Sequence, residues 1–241
     1  MRVEPTPGSR PVVLVGGYWI GPWAWQEVQE RLASRGHPVV VPTLPGLGDG
    51  TPPQTVTAVD QARTILDSLR GLVDPMLVVH SGAGAVASVV TDLDPGAAAR
   101  VVYVDSGPVA AGQVPRPDLA GLQPVPVPTV AELRAMGPLT ADLTDAQLTE
   151  LTTRGLPQPG LVANAPIALS NPLRLAVPST VVCCGFGSSL VQELARSGEQ
   201  MFAPLLELER VDYLDLPAGH WPMWSRPEAL ADCLHEIAGT G

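Results

Sequence analysis

The run at 76–84 (MLVVHSGAG) constrains the fold more than any other part of this sequence. An apolar strand leads directly into Ser81, small residues follow it, and 83–93 predicts a helix. A sharp turn between a strand and a helix lifts a serine hydroxyl above a sheet, and it needs small residues because backbone approaches backbone there. The usual pattern has glycine two positions before and after the serine, where this chain has Val79 and Ala83. A buried serine at a strand end therefore stays open as the alternative.

Two other segments occur in the chain order that a serine hydrolase uses. His220 follows the apolar stretch 211–216 and Gly219, which is where such an enzyme places its general base. Near the N-terminus, the apolar stretch 12–15 ends in the glycine pair 16–17. Such a turn exposes backbone N–H groups, and one of them can serve an oxyanion hole.

With these segments in place, the sequence resembles the α/β-hydrolase superfamily. Within it, the sequence is similar to small lid-bearing esterases related to plant methylesterases and hydroxynitrile lyases. The resemblance spans almost the whole chain, and its segments are 14–19 with 21–25, 42–48, 80–82, 102–105 and 219–222. One difference is Gly16, which stands where the family usually has histidine. That histidine is mainly structural in the family, so its loss need not remove catalysis.

Short apolar runs alternate with amphipathic segments along the 241 residues. The runs that predict strands are 12–15, 39–41, 76–80, 101–104, 180–184 and 211–216. Most are rich in valine and apolar throughout, as strands buried on both faces are. The pattern predicts one α/β domain over 1–241, with the α/β-hydrolase fold: a mostly parallel sheet with helices on both faces.

The stretch at about 107–178 interrupts this alternation. It is rich in proline, contains no convincing strand, and has two capping boxes that begin at Thr129 and Thr144. In the family, an insertion at this place forms a lid that covers the serine. A disordered linker is the alternative, but the many apolar residues here disfavour it.

The candidate catalytic residues are Ser81 as the nucleophile and His220 as the base. A base of this kind needs a carboxylate to fix its orientation. The family often has that aspartate shortly after the strand at 180–184, where this chain has Gly187 or Ser188 instead. Asp105 is the best replacement because it ends the preceding strand, at the carboxyl edge of the sheet. The alternative is that Asp105 only caps the turn that follows it.

The resemblance places the two oxyanion-hole donors at the backbone N–H groups of Tyr18 and Gly82. Several tryptophans lie in sequence beside the site motifs, and the candidates for an apolar substrate pocket are Trp19, Trp221 and Trp224. Core packing is the alternative for the tryptophans that begin a helix, at 23 and 25.

The other histidines have simpler interpretations. We expect His37 in a surface turn before a strand, His80 packed beneath the serine turn, and His235 in contact with solvent on the last helix.

Charge and cysteine content exclude several kinds of partner. The net charge is -10 and the chain has no lysine, which argues against nucleic acid or an anionic membrane as the main partner. The three cysteines lack metal-site spacing, so neither a metal nor another cofactor is expected. Residues 1–5 have no apolar leader and no stretch is long enough to span a bilayer, so we expect a cytoplasmic protein with a small-molecule substrate.

These observations favour a serine esterase that acts on a small or medium apolar carboxylic ester, lactone or thioester. Two alternatives stay open on the same scaffold. One is a lyase that uses Ser81 and His220 for proton transfer, although hydroxynitrile lyases of this family usually recruit a lysine. The other is a binding protein that has lost its catalytic acid and kept the pocket.

Overall fold

A single sheet of six parallel strands forms the centre of the computed structural model, which describes residues 9–239. The strand order is β2-β1-β3-β4-β5-β6. The strands are β1 Val12–Val15, β2 Val39–Val40, β3 Met76–His80, β4 Arg100–Val104, β5 Ser179–Cys183 and β6 Val211–Asp215. The predicted α/β-hydrolase fold is therefore confirmed. The early segment 1–5, interpreted above as lacking a leader, lies outside the described residues.

The two faces of the sheet bury two separate cores, because successive side chains of a strand point in opposite directions. In β1, Val13 and Val15 join one core, while Val12 and Leu14 join the other. All four strand residues are at most 1% exposed, so β1 shows a continuous apolar run and no alternation.

Helices cover both faces, as the sequence predicted. They are α1 Gln26–Ser34, α2 Ala58–Leu69, α3 Ala83–Leu93, α4 Val130–Ala135, α5 Asp145–Arg154, α6 Gly160–Asn164, α7 Ser188–Arg196, α8 Pro222–Ser225 and α9 Pro227–Gly239. Short 3-10 helices occupy Pro22–Trp25, Pro53–Thr55, Pro117–Leu119, Gly137–Leu139, Pro172–Ala176 and Ala203–Glu207. Helix α2 packs with α3 over one core, and α1 packs with α9 over the other.

The segment between β4 and β5 contains only short helices and contributes no strand to the described sheet. Both predicted capping boxes are present. Thr129 and Glu132 begin α4, and Thr144 and Gln147 begin α5. The segment is folded against the rest of the chain, since Leu133, Leu148 and Leu151 of these helices are fully buried in the core beneath it.

The predicted strand ends differ from the structure by at most one residue. The stretch 180–184 gives a strand at Ser179–Cys183, and 211–216 gives one that ends at Asp215. Asp215 is the last residue of this strand and pairs with Cys183, and its carboxylate oxygens accept from Ser188, at 2.6 Å from the backbone N–H and 2.8 Å from the hydroxyl. Within residues 9–239, each helix is too short or too polar to cross a bilayer.

Candidate active site

Ser81 lies on a tight turn between β3 and α3. Its φ is +52°, in the left-handed region that residues with a side chain rarely adopt. The backbone around it holds this conformation. Ser81 N–H donates to the Val104 carbonyl at 3.2 Å, and the Ser81 carbonyl accepts from Gly84 N–H at 3.0 Å and from the Ser106 hydroxyl at 2.5 Å. A strained residue held by several contacts is typical of a functional site.

Close packing explains the small residues around the serine. A Cβ added to Gly84 would lie 2.2 Å from the Gly107 carbonyl oxygen, and one on Gly17 would lie 2.7 Å from the Ser81 Cβ. Val79, which replaces the usual glycine, is still within β3 and fully buried in the core. The turn tolerates valine there because its side chain packs among the buried residues of one sheet face.

Ser81, His220 and Asp105 lie in one hydrogen-bonded line. The Ser81 hydroxyl donates to Nε2 of His220 at 2.7 Å. On the other side of the ring, Nδ1–H of His220 donates to Oδ2 of Asp105 at 2.5 Å. This tautomer follows from the partners, since a carboxylate can only accept. These three residues belong to separate segments of the sequence, and the fold places their side chains in contact.

Asp105 is well positioned to keep its negative charge. It follows β4, and its second oxygen accepts from the backbone N–H groups of Cys184 at 3.2 Å and Gly185 at 2.9 Å. Its side chain is 12% exposed, and burial by itself would raise its pKa. The hydrogen bond and charge of His220, with the Gly185 N–H, outweigh burial and hold the pKa of Asp105 below its ordinary value.

Positions 187 and 188, where the family often has its catalytic aspartate, form the start of helix α7 in this chain. Gly187 is the N-cap of α7, and Ser188 bonds to Asp215 on the neighbouring strand. Because β4 lies between β3 and β5, Asp105 stands at the same sheet edge as Ser81 and can reach His220 from there.

The loop that presents His220 is fixed by residues that sequence reasoning missed. His220 N–H donates to the Leu139 carbonyl at 2.7 Å, and Gly219 N–H donates to Oδ2 of Asp142 at 2.7 Å. From below, Nε2–H of His80 donates to the His220 carbonyl at 2.6 Å. Leu139 and Asp142 belong to the segment between β4 and β5, and nothing in their sequence pattern relates them to a histidine far along the chain.

The Asp142 contact gives a stability prediction. Asp142→Ala should lower the free energy of unfolding by about 1–3 kcal/mol, because it leaves the Gly219 N–H without its acceptor. Urea unfolding monitored by tryptophan fluorescence measures this. Asp142→Asn keeps a side-chain oxygen and is the matched control, so it should cost less. Equal losses in the two variants would contradict the role of this hydrogen bond.

His80 lies beneath the serine turn, as expected, and is 1% exposed. Burial, with the nearby charge of His220, lowers its pKa to about 3. Of the other two histidines, His235 is exposed on α9 as expected, whereas the surface position expected for His37 is wrong. His37 is buried, and its Nε2 lies 2.8 Å from Nδ1 of His235, so the two side chains form a hydrogen-bonded pair. They meet because β2 and α9 both pack against α1.

The low pKa of His80 predicts that the fold weakens in acid. In the unfolded chain a histidine takes up a proton near pH 6.5, whereas folded His80 stays neutral down to about 3. Stability is therefore lost progressively as the pH falls below about 6.5. Urea unfolding should give a free energy about 2 kcal/mol lower at pH 5 than at pH 7. His80→Gln removes the titrating group, so an equally large difference in that variant would disprove the assignment.

Tyr18 contacts Gly82, the residue that follows the candidate nucleophile Ser81. A Cβ on Gly82 would be 2.2 Å from Cε1 of Tyr18, so the tyrosine ring lies directly on the turn after the serine. Both residues line a small cavity of about 10 Å³, and burial raises the pKa of the Tyr18 hydroxyl. The apolar part of the wall consists of Leu44, Leu47, Ala83, Val86 and Val162.

The predicted pocket tryptophans are in three different environments. Trp221 is 2% exposed and packs edge-on to His220, with ring centroids 4.7 Å apart. Trp19 is buried, and its carbonyl accepts from Leu156 N–H at 2.8 Å. Trp224 stacks on Trp23 at 5.3 Å, in a separate groove of about 640 Å³. None of the three lines the cavity beside Gly82.

Thiol and metal chemistry find no support in the described part of the chain. Burial raises the pKa of Cys183 to about 12, so this thiol stays protonated and unreactive at neutral pH. Residues 9–239 contain no group of three or more His, Cys, Asp or Glu side chains that could hold a metal ion.

A parallel sheet with a serine on the turn after its third strand and a histidine after its last strand defines the α/β-hydrolase class of enzymes. Residues 12–233 match the model of the alpha/beta hydrolase family, and the chain belongs to that family.

Comparison with known proteins agrees with the resemblance to plant methylesterases. The chain is 26% identical to Methylesterase 7 of Arabidopsis thaliana, over 95% of this chain and 96% of that protein. An extracellular alpha/beta-hydrolase from a Paenibacillus species has a TM-score of 0.71 at 19% identity, covering 96% of this chain and all of that one (100%). A pyrethroid hydrolase from Sphingobium faniae has a TM-score of 0.69 at 21% identity, covering 96% and 98%.

Proposed function

We propose that this protein is a serine esterase that cleaves a small or medium apolar carboxylic ester, lactone or thioester through an acyl-enzyme on Ser81. The observation that carries the proposal is the continuous line of hydrogen bonds from Asp105 through His220 to Ser81, at 2.5 Å and 2.7 Å. The similarity to a methylesterase, which is named for ester cleavage, and to a pyrethroid hydrolase, which is named for hydrolysis, supports the same kind of reaction.

In the proposed reaction, Nε2 of His220 takes the proton of the Ser81 hydroxyl as the oxygen attacks the ester carbonyl. The imidazolium that forms is stabilised by the Asp105 carboxylate, which stays ionised because its pKa is held low. His220 then gives the proton to the leaving alcohol. Water enters, His220 removes its proton, and hydrolysis of the acyl-enzyme restores the free serine.

The oxyanion of each tetrahedral intermediate would be held by the backbone N–H groups of Tyr18 and Gly82. Their support is positional: the Tyr18 ring rests on Gly82, and Gly17 packs on the Ser81 side chain. Backbone donors fixed in this way need no reorganisation when charge develops, which is why such sites accelerate acyl transfer.

We further propose that the segment at about 107–178 acts as the lid. It supplies Leu139 and Asp142 to the His220 loop, and Val162 to the cavity beside Gly82. A lid with these contacts would exclude water from the acyl-enzyme and set the shape of the substrate. The apolar cavity wall favours an apolar small molecule over a charged polymer, and a cytoplasmic location remains a prediction.

Covalent labelling tests the proposed function. A fluorophosphonate probe should modify Ser81 stoichiometrically at pH 8, because only an activated serine attacks phosphorus at a useful rate. Peptide mass spectrometry identifies the modified residue, and Ser188→Ala, which removes another partly exposed serine, serves as the control and should label normally. An unlabelled Ser81 in folded protein would favour the non-catalytic binding protein instead.

A further inference from the structure

Two residues that line the cavity beside Gly82 each have a buried polar atom without a hydrogen-bond partner among the described residues. One atom is the hydroxyl oxygen of Tyr18, and the other is Oε1 of Gln158. Tyr18 is 6% exposed and Gln158 1%. Native proteins pair almost all of their buried polar groups with protein, water or ligand atoms, so these two atoms mark a place in the cavity where a polar group can bind.

The cavity lies next to the proposed reacting atoms. Gly17 and Gly82 form part of its wall, and a Cβ on Gly17 would be 2.7 Å from the Ser81 Cβ. None of its lining residues comes from the His220 loop. Because His220 would protonate the leaving alcohol, the alcohol must lie on the histidine side, and this cavity faces the acyl side of the ester.

Contacts with neighbouring residues hold both Gln158 and Tyr18 in position. Gln158 exchanges two hydrogen bonds with Val125, at 2.9 Å through its own N–H and 2.8 Å through its carbonyl. The Tyr18 ring is held between Gly82 and Trp19, with the two aromatic ring centroids 6.0 Å apart. A site built from such supported groups selects its ligand by geometry, since little freedom is left to lose on binding.

The volume and the two atoms together identify the chemistry of the ligand group. About 10 Å³ gives room for one group the size of a water molecule. A hydroxyl can accept from the Tyr18 O–H and donate to the Gln158 carbonyl oxygen at the same time, whereas a keto or ether oxygen has no proton to donate. A third polar residue, Gln61, also lines the cavity, and its Nε2–H already donates to the Pro45 carbonyl at 3.0 Å.

We propose that Tyr18 and Gln158 form a subsite for a hydroxyl group on the acyl part of the substrate, so that the preferred substrates are esters of short hydroxy acids. This inference rests on the proposed esterase function. Tyr18 would then have two roles, because its backbone N–H would hold the oxyanion and its side chain would select the acyl group.

The test compares kcat/KM for the methyl esters of butanoic, 2-hydroxybutanoic and 3-hydroxybutanoic acid. The wild-type protein should prefer at least one hydroxy ester over the butanoate by about 10- to 100-fold, because the unsubstituted chain leaves both buried groups unpaired. Tyr18→Phe keeps the ring on Gly82 and should reduce that preference, the ratio of the hydroxy-ester to the butanoate kcat/KM, about tenfold. Gln158→Met should do the same.

Tyr103→Phe is the matched control, since it also removes a tyrosine hydroxyl from a buried residue but lies on β4, away from the cavity lining. It should leave the preference unchanged. Equal wild-type kcat/KM for all three esters, or a Tyr18→Phe preference equal to that of the wild type, would overturn the subsite while the esterase function stands. A folded wild-type protein that cleaves none of the esters and takes no fluorophosphonate would overturn both.

Discussion

Ser81→Ala is expected to abolish ester hydrolysis while the protein stays folded. Removing one member of a Ser-His unit lowers kcat by a factor on the order of 10⁶, because the nucleophile and its base act together. Release of p-nitrophenol from p-nitrophenyl butanoate measures the rate, and far-UV circular dichroism with urea unfolding establishes the fold. Ser81 is strained at φ +52°, and alanine keeps the same steric demand there, so stability should change little.

His220→Ala provides the check on this assignment. It should lower the rate about as much as Ser81→Ala, since the hydroxyl loses its base at 2.7 Å. The double variant should be no slower than either single variant. A double variant that loses a further large factor would mean that the two residues act independently, and turnover in folded Ser81→Ala protein would refute the nucleophile.

Asp105→Asn should reduce turnover by a factor on the order of 10⁴, the effect of this substitution at the acid of a serine-protease triad. The amide carries no negative charge to stabilise the imidazolium. Its NH2 group can also donate to Nδ1 of His220, where the carboxylate now accepts at 2.5 Å, and this favours the wrong tautomer of the ring. The reason for expecting so large an effect is that the described carboxylate contacts of His220 come from Asp105 alone. Steady-state kinetics with p-nitrophenyl esters gives the ratio.

Asp215→Asn is the matched control for this prediction. Asp215 is the last residue of β6 on one side of β5, and Asp105 follows β4 on the other side. Among the described residues, the Asp215 side chain accepts from Ser188 and not from the histidine. Its replacement should leave kcat within about twofold, whereas it should weaken the start of α7 slightly. Similar losses in both variants would indicate that a change in overall charge, rather than orientation of His220, lowers the rate.

The local features of the fold followed from the sequence. Apolar runs such as 76–80 are buried on both faces of the sheet, which is typical of central strands. The threonines at 129 and 144 cap the starts of helices, as their capping boxes predicted. The exact ends of strands were harder to predict, because a strand end depends on contacts with residues elsewhere in the chain. Strand β6 ends at Asp215, whose side chain bonds to Ser188, and no local pattern in 211–216 indicates that contact.

The sequence also named Ser81, His220 and Asp105 as candidates, since each ends or follows a predicted strand. It did not decide between Asp105 as an orienting acid and Asp105 as the cap of a turn. The structure adds the position of β4 between β3 and β5, which places Oδ2 of Asp105 at 2.5 Å from Nδ1 of His220. Strand order is a property of the whole sheet, and no single segment encodes it.

What the sequence determined by itself is therefore the set of elements, the family and the chemical types of the reacting groups, because these depend on local periodicity and on short motifs. Only the tertiary structure decided which distant groups meet. It brought Asp142 under the His220 loop, placed Trp224 in a groove separate from the serine, and set the Tyr18 and Gln158 side chains around one cavity. These contacts join residues tens of positions apart, and they form only when the sheet and the segment between β4 and β5 pack together.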